Sequence, residues 1–416
     1  MRRGAKKIFH QLHLWLGLAS GLIVFIVSIT GCLYVFVDEL QSVFYRDRLY
    51  VEVPENTERL PATELIAKAE AALDNQYPFT IIQAHAAPNK SVRLQAYKFN
   101  TEKQTKLIRW YGEEMLYFYR VYLNPYNGEL LKIEHTKWEF FNVVEFLHTS
   151  LLLGKFGRTV VAYAVLIFLV MLITGLILWW PRNKKAFRIG TRFVWKKSTR
   201  WKRKNYDLHN VLGFYAMWVA VVIAITGLVW SFEWVSNSLQ WIANGGEKQE
   251  RRFSAQQSDT TQIRLDNPLD KIYAQAPINF PEATQYFLIA PSDSVSSINI
   301  FTRKRDDITD QIAQYDQYTG EELDAFQLSD MSRGEQLRFL NYSIHVGSIL
   351  SFPGKVLAFF AALISASLPI TGFFIWWNRT KRKRRSRRKT KENEAAIPKS
   401  ASTQLEPILQ SKARLE

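Results

Sequence analysis

The chain has one cysteine, Cys32, in 416 residues. A lone thiol excludes an internal disulfide framework, a zinc site built on cysteines and a cysteine-held iron–sulfur cluster. Cys-x-x-Cys-His is absent too, which excludes covalent attachment of a c-type haem. No Gly-x-Gly-x-x-Gly follows a candidate strand, so the chain lacks a nucleotide-binding fingerprint. The most informative absence is of charge. Leu14–Val37, Thr159–Trp180, Val211–Phe232 and Val356–Trp377 contain no Asp, Glu, Lys or Arg. Each is longer than the about 20 residues a helix needs to cross about 30 Å of hydrocarbon. At that length in lipid, a helix satisfies its own backbone polar groups. Four membrane spans follow.

The charge that is present lies beside these runs. The formal net charge is +16, concentrated at Arg2, Arg3, Lys6 and Lys7, at Arg182–Lys204, and at Arg379–Lys391. The two long intervening segments mix both signs. Such clusters are a topology signal and a contact for anionic membrane lipid, not a nucleic-acid surface. The expected organisation is a cytoplasmic N-terminus (1–9), first span (10–37), outer domain (38–147), interfacial helix with second span (148–181) and basic cytoplasmic linker (182–207). A third span (208–235), second outer domain (236–340), interfacial helix with fourth span (341–378) and disordered basic cytoplasmic tail (379–416) complete it. Ile29-Thr30-Gly31-Cys32 imitates a lipoprotein processing site. Apolar residues continue to Val37, however, and Ile225-Thr226-Gly227 repeats the motif deep in the chain without a cysteine. The first span is therefore expected to be retained.

The chain repeats itself. His13-Leu-Trp-Leu-Gly17 is echoed by His209-Asn-Val-Leu-Gly213 at an offset of 196, as is Thr30-Gly31 by Thr226-Gly227. His148 maps to His345, Thr174-Gly175 to Thr371-Gly372, and Trp179-Trp180 to Trp376-Trp377, all at 197. The fold class is a membrane α-helical protein with four transmembrane helices in two parallel repeats about an axis along the membrane normal. Tyr122–Glu129 and Tyr315–Glu321 each read as strand, tight turn with glycine, strand, and Ala62–Leu73 has helical periodicity. Two small α+β outer domains are expected.

Of seven histidines, His13, His209, His148 and His345 take part in the repeat, while His10, His85 and His135 do not. Ionisable residues at membrane helices are costly and usually functional. His13 and His209 begin spans at the inner face; His148 and His345 precede spans at the outer face. The levels differ by roughly 25 Å at 1.5 Å per helical residue, so one four-histidine site is excluded and two two-histidine sites remain. Two imidazoles alone do not hold a metal ion, whereas haem b needs only an axial pair from the protein. Gly17 and Gly213, one turn after their histidines, either leave room for a flat macrocycle or allow close helix packing. Thr30 and Thr226 fall at the outer level, Thr174 and Thr371 at the inner. They could bond a haem edge or backbone, or serve helix packing. His10 shares the face of His13 but has no counterpart near 206, so it is read as non-ligating, with an exchange between the two as the alternative. His85 and His135 are expected at the surface.

With His13-Leu-Trp-Leu-Gly17, the Thr-Gly spans, the Trp-Trp exits and the Asn-Pro-Tyr-Asn-Gly-type turns, residues 8–380 resemble the PepSY-associated transmembrane proteins. These include iron-regulated membrane proteins and ferric-siderophore reductases. The resemblance implies a Gram-negative inner-membrane oxidoreductase with PepSY-like periplasmic domains. In such a protein two non-covalent, bis-histidine haems b pass electrons outward to a ferric siderophore. Iron is released because Fe(II) binds hard oxygen chelators far more weakly. Some relatives carry a fused flavin and nicotinamide module; here the donor is expected to be a quinol or a separate cytoplasmic flavoprotein. The alternatives are a quinol-linked cytochrome b for another periplasmic acceptor and a non-enzymatic peptide-binding or peptidase-regulating module. Charge-free spans argue against a transport path.

Overall fold

In the computed structural model, which describes residues 3–102, 107–248, 252–262, 267–305 and 308–395, the charge-free runs become four long helices. The first span is Arg3–Tyr34 and the second Gly154–Trp179. The third starts at Trp201–Asp207 and passes through a π-helical turn, Leu208–Leu212, into Gly213–Ser231. The fourth belongs to one helix, Ser351–Ala395. The first and third spans each pack against the second and the fourth. The four thus close a ring, with most of each span facing outward for lipid.

Helix continues where the sequence led us to expect coil. The first helix begins at Arg3, inside the segment assigned to a separate N-terminus, and the fourth runs to Ala395, through much of the tail expected to be disordered. Lys and Arg are good helix formers, and extending a helix already nucleated by a span needs no new nucleus. Arg2 and residues 396–416 lie outside the described residues. The basic linker contains the short helices Lys184–Gly190 and Trp201–Asp207.

His148 and His345 sit on short helices just before their spans, Phe140–Ser150 and Asn341–His345. The first ends in left-handed residues Leu151 and Leu152, at φ 52° and 60°. The following span then starts almost in contact with what precedes it. A Cβ on Gly157 would meet the Ser150 carbonyl oxygen at 1.6 Å, and one on Gly354 the Gly347 oxygen at 2.0 Å. Only glycine allows that approach, and it occurs at matching places in both halves.

The two long segments leave the bundle at the same end and form eight antiparallel strands. These are β1 Ile81–His85, β2 Val92–Phe99, β3 Met115–Leu123, β4 Leu130–Glu134, β5 Gln285–Ile289, β6 Ile298–Arg305, β7 Ile308–Tyr315 and β8 Glu322–Gln327. The expected hairpin turns are there, with Gly128 at φ 72° and Gly320 at φ 70°. The expectation of two small domains is corrected. The strand order is β4-β3-β2-β1-β5-β6-β7-β8, one sheet joined where β1 pairs β5, with Ile82 opposite Leu288. On one face lie the helices Ala62–Ala71 and Pro268–Asn279. Leu65, Ile82, Leu94, Leu288 and Ile300, all fully buried, belong to one core that spans both halves. Burying each such side chain contributes about 1.5–3 kcal/mol. Asp270 accepts from the Thr63 N–H and hydroxyl, both at 2.7 Å, and so ties one helix to the other. Against β3 also lie Arg46–Leu49 and Thr136–Trp138, from the segments that join the sheet to the spans.

Candidate functional site

Each of the four repeated histidines is gripped by a threonine from a neighbouring span. His13 Nδ1 lies 3.0 Å from Thr174 Oγ1 and His209 Nδ1 2.9 Å from Thr371 Oγ1. At the other end of the bundle, His148 Nδ1 lies 3.1 Å from Thr30 Oγ1 and His345 Nδ1 2.9 Å from Thr226 Oγ1. Each hydroxyl has one proton, and each has a carbonyl of its own helix to receive it: Met171 at 3.1 Å, Ser367 at 2.9 Å, Ile26 at 2.8 Å and Val222 at 2.8 Å. The threonine oxygen therefore accepts, Nδ1–H donates, and the ring's lone pair is left on Nε2. His148 Nδ1 also lies 2.9 Å from the Val27 carbonyl, which can only accept. This tautomer, assigned from the bonding network, is the one a metal-ligating histidine adopts when an outer partner orients it. The threonines thus hold the imidazoles, a role the sequence did not show.

The glycine after each threonine completes the socket. A Cβ there would stand 3.2 Å from His13 Cε1 at Gly175, 3.3 Å from His209 Cε1 at Gly372, 3.3 Å from His148 Cε1 at Gly31 and 3.5 Å from His345 Cε1 at Gly227. The Thr-Gly pairs fall at the levels expected from their spacing.

The rings then meet in pairs. His13 and His209 have centroids 6.4 Å apart with planes at 86°; His148 and His345 are 6.2 Å apart at 73°. Two imidazoles bound through Nε2 on opposite sides of one metal, at bonds of about 2.0–2.1 Å with ring centres about 1.1 Å further back, would be about 6.3 Å apart. Among the described residues no three of His, Cys, Asp and Glu cluster as a metal site. A metal at either pair must therefore bring its other ligands with it, as haem does. Cavities border both pairs: about 340 Å³ at His13 and His209, and about 840 Å³ at His148 and His345. Both fall in the usual range for cofactor pockets. The residues present fit two bis-histidine haems.

Gly17 and Gly213 line the smaller cavity. Each also faces a side chain of another span: a Cβ would meet Met171 Cε at 2.8 Å and Leu368 Cδ2 at 3.5 Å respectively. His10 also lines the smaller cavity, where its Nε2 lies 2.5 Å from Arg379 Nη1. His135 is exposed and stacks on Tyr119. His85, expected at the surface, is half-buried on β1 opposite Gln285. His209 lies in the π-helical turn, whereas His13 lies in regular helix; such turns are frequent at functional sites. The larger cavity breaks the repeat. Tyr34 donates to Glu145 at 2.8 Å beside His148, while the equivalent positions near His345 carry Trp230 and Tyr342.

The family model for the PepSY-associated TM region matches residues 10–379. No curated protein matches the chain.

Proposed function

The chain belongs to the PepSY-associated transmembrane family, and on that premise we propose that it is a di-haem b oxidoreductase of the bacterial inner membrane. It would take electrons from a quinol or a cytoplasmic flavoprotein and deliver them to a ferric siderophore in the periplasm. The observation that carries this reading is the double histidine pair, with ring spacings of 6.4 and 6.2 Å and every Nδ1 held by a threonine. Haem b, when bound, supplies an iron that exchanges one electron at a time. The chain's own residues do the rest. Threonines fix each imidazole's tautomer and direction, glycines give the rings clearance, and the spans keep both levels in an apolar surround. The levels are 17 residues apart along the first span, from His13 to Thr30, or about 25 Å. That separation is suited to moving charge across a bilayer. The basic clusters favour the cytoplasm for the His13 and His209 end; with that end inside, the sheet would lie in the periplasm, at the end of the bundle that holds the larger cavity.

The test is a dithionite-reduced minus oxidised absorbance spectrum with a pyridine haemochrome count on detergent-purified protein. The expected result is low-spin b-type bands and two haems per chain, one lost in His209→Ala and the other in His345→Ala. A chain that stays colourless after reconstitution with excess haem would sink the proposal.

A further inference from the structure

The two halves of the sheet diverge at equivalent positions on the face opposite the shared core. Gly128 N–H bonds the Asn124 carbonyl and Gly320 N–H the Asp316 carbonyl, so positions count back from matched turns. By that count and the strand registers, Gln95, Arg120 and Glu134 lie side by side in the first half. Phe301, Ile312 and Phe326 occupy the same three places in the second. The second-half residues close an apolar cluster with Met331 and Phe253. Packing at this layer therefore needs no charge. Replacing buried ion clusters by apolar residues is often stabilising, so the charged version calls for another reason.

The first half places three arginines around one carboxylate. Arg48 donates to Glu134 Oε2, and Arg120 Nη1 lies 3.6 Å from Glu134 Oε1. Arg93 donates to Gln83, and Arg120 Nε lies 3.4 Å from Gln95 Oε1. The Thr136 hydroxyl also donates to Glu134, at 2.9 Å. The next carboxylate, Glu139, is taken by the Tyr45 hydroxyl and the Asn142 N–H. Asp47, exposed, stands 4.0 Å from Arg48 Nε. Even so, the buried Nε atoms of Arg48 and Arg93 have no hydrogen-bond partner among the described residues. Burial first, then the neighbouring Arg120, lowers the pKa of Arg93. Uncompensated buried charge is costly, and an anion would remove that cost. None of the three arginines lines the larger cavity, but Tyr34, which does, is within electrostatic reach of Arg120.

We propose that Arg48, Arg93 and Arg120 form an anion site between the sheet and the bundle, and that its occupant is the carboxylate-bearing side of the ferric chelate. The inference rests on the reductase reading above. The step it would serve is a one-electron reduction of chelated Fe(III) to Fe(II), the electron supplied by the quinol or flavoprotein donor, which is oxidised in turn. No bond to the arginines forms or breaks. Guanidiniums match carboxylate geometry in pairs of bonds, so negatively charged chelates would be preferred over neutral ones.

The test uses the full chain in neutral detergent, with Ga(III) citrate as a redox-inert anionic probe and a neutral Ga(III) trihydroxamate as control, titrated calorimetrically. Arg93→Gln and Arg120→Gln should each weaken citrate binding tenfold or more and leave the trihydroxamate unchanged. The quadruple variant Arg48→Met, Gln95→Phe, Arg120→Ile, Glu134→Phe gives the layer the apolar residues of the second half and removes Glu134 together with both arginines paired to it, so neither partner of those ion pairs is left buried alone. It should keep both haems and lose citrate binding. In ferric citrate reduction, Arg120→Gln should raise KM at least tenfold with kcat within twofold. Unchanged gallium binding in the three variants would overturn the proposal. So would loss of a haem, which would assign the arginines to the haem's own carboxylates. Loss of co-purifying phosphatidylglycerol with citrate binding intact would assign them to lipid headgroups instead. If citrate binding is lost in the variants but the parent reduces no ferric chelate, the anion site stands and the reductase reading falls.

Discussion

A threonine and the glycine behind it do the same work at four places, and each socket holds a histidine from another helix. Because the glycine Cα backs directly onto the imidazole, its replacement is a sharper probe than removal of the ligand. Gly372→Val would put branched carbons where even a Cβ stands 3.3 Å from His209 Cε1. The expected result is displacement of His209 and a haemochrome count falling from two to one, with the His148 and His345 pair unaffected. A count that stays at two would show that the ring has room to yield. His85 is the residue from which acid sensitivity is expected. Burial, then the cations Arg93, Lys90 and Arg59, lower its pKa to about 4. The unfolded chain protonates it near 6.5, before the folded one does. Stability is therefore full above about pH 6.5 and falls as the pH drops toward about 4, by up to about 3 kcal/mol. Thermal melts at pH 7 and 4.5 measure the loss, and His85→Asn should flatten it; an undiminished loss would place the sensitivity elsewhere. The four ligand candidates were legible in the sequence because the repeat singled them out. The threonines' grip was not, since Thr174 meets His13 across 161 residues and only helix packing sets the register between them.

At the scale of elements, the unexpected contact is the pairing of β1 with β5. Its first register pair, Ile81 with Ile289, is more than 200 residues apart in sequence. Nothing local marks an edge strand that will be covered by a distant copy of itself, so two domains were the natural expectation. The hairpins themselves were readable from Gly128 and Gly320, where the turn demands positive φ. Since Leu288 is fully buried in a core shared by both halves, Leu288→Ala should cost about 2–5 kcal/mol. Hydrogen exchange would locate that loss. Uptake should rise in β2 and in Ala62–Ala71 as well as in β5 and β6. A rise confined to the second half would mean that the halves are energetically separate. The π-helical turn at Leu208–Leu212 also escaped the sequence, because His209-Asn-Val-Leu-Gly213 has the same spacing as its regular counterpart.

At the scale of the molecule, the four spans and the segregation of basic residues were plain from charge, and the repeat from matched histidines, threonines, glycines and tryptophans. These features lead to a sidedness experiment. Cys32 is buried, so introduced cysteines can be labelled over a low background. Leu323→Cys, on β8, and Phe187→Cys, in the basic linker, replace exposed side chains, 39% and 47% accessible. In intact spheroplasts an impermeant maleimide should label the first, and the second only after lysis. The opposite pattern would invert the topology. Both histidine pairs take one ring from each half, and the central strand pair does the same. A chain of one repeat would offer a single imidazole per level and an uncovered β1, needs that two copies related by a two-fold axis would meet. Covalent fusion replaces that bimolecular equilibrium with a fixed effective concentration. The histidine pairs of this chain therefore remain assembled however sparsely it is spread through a membrane.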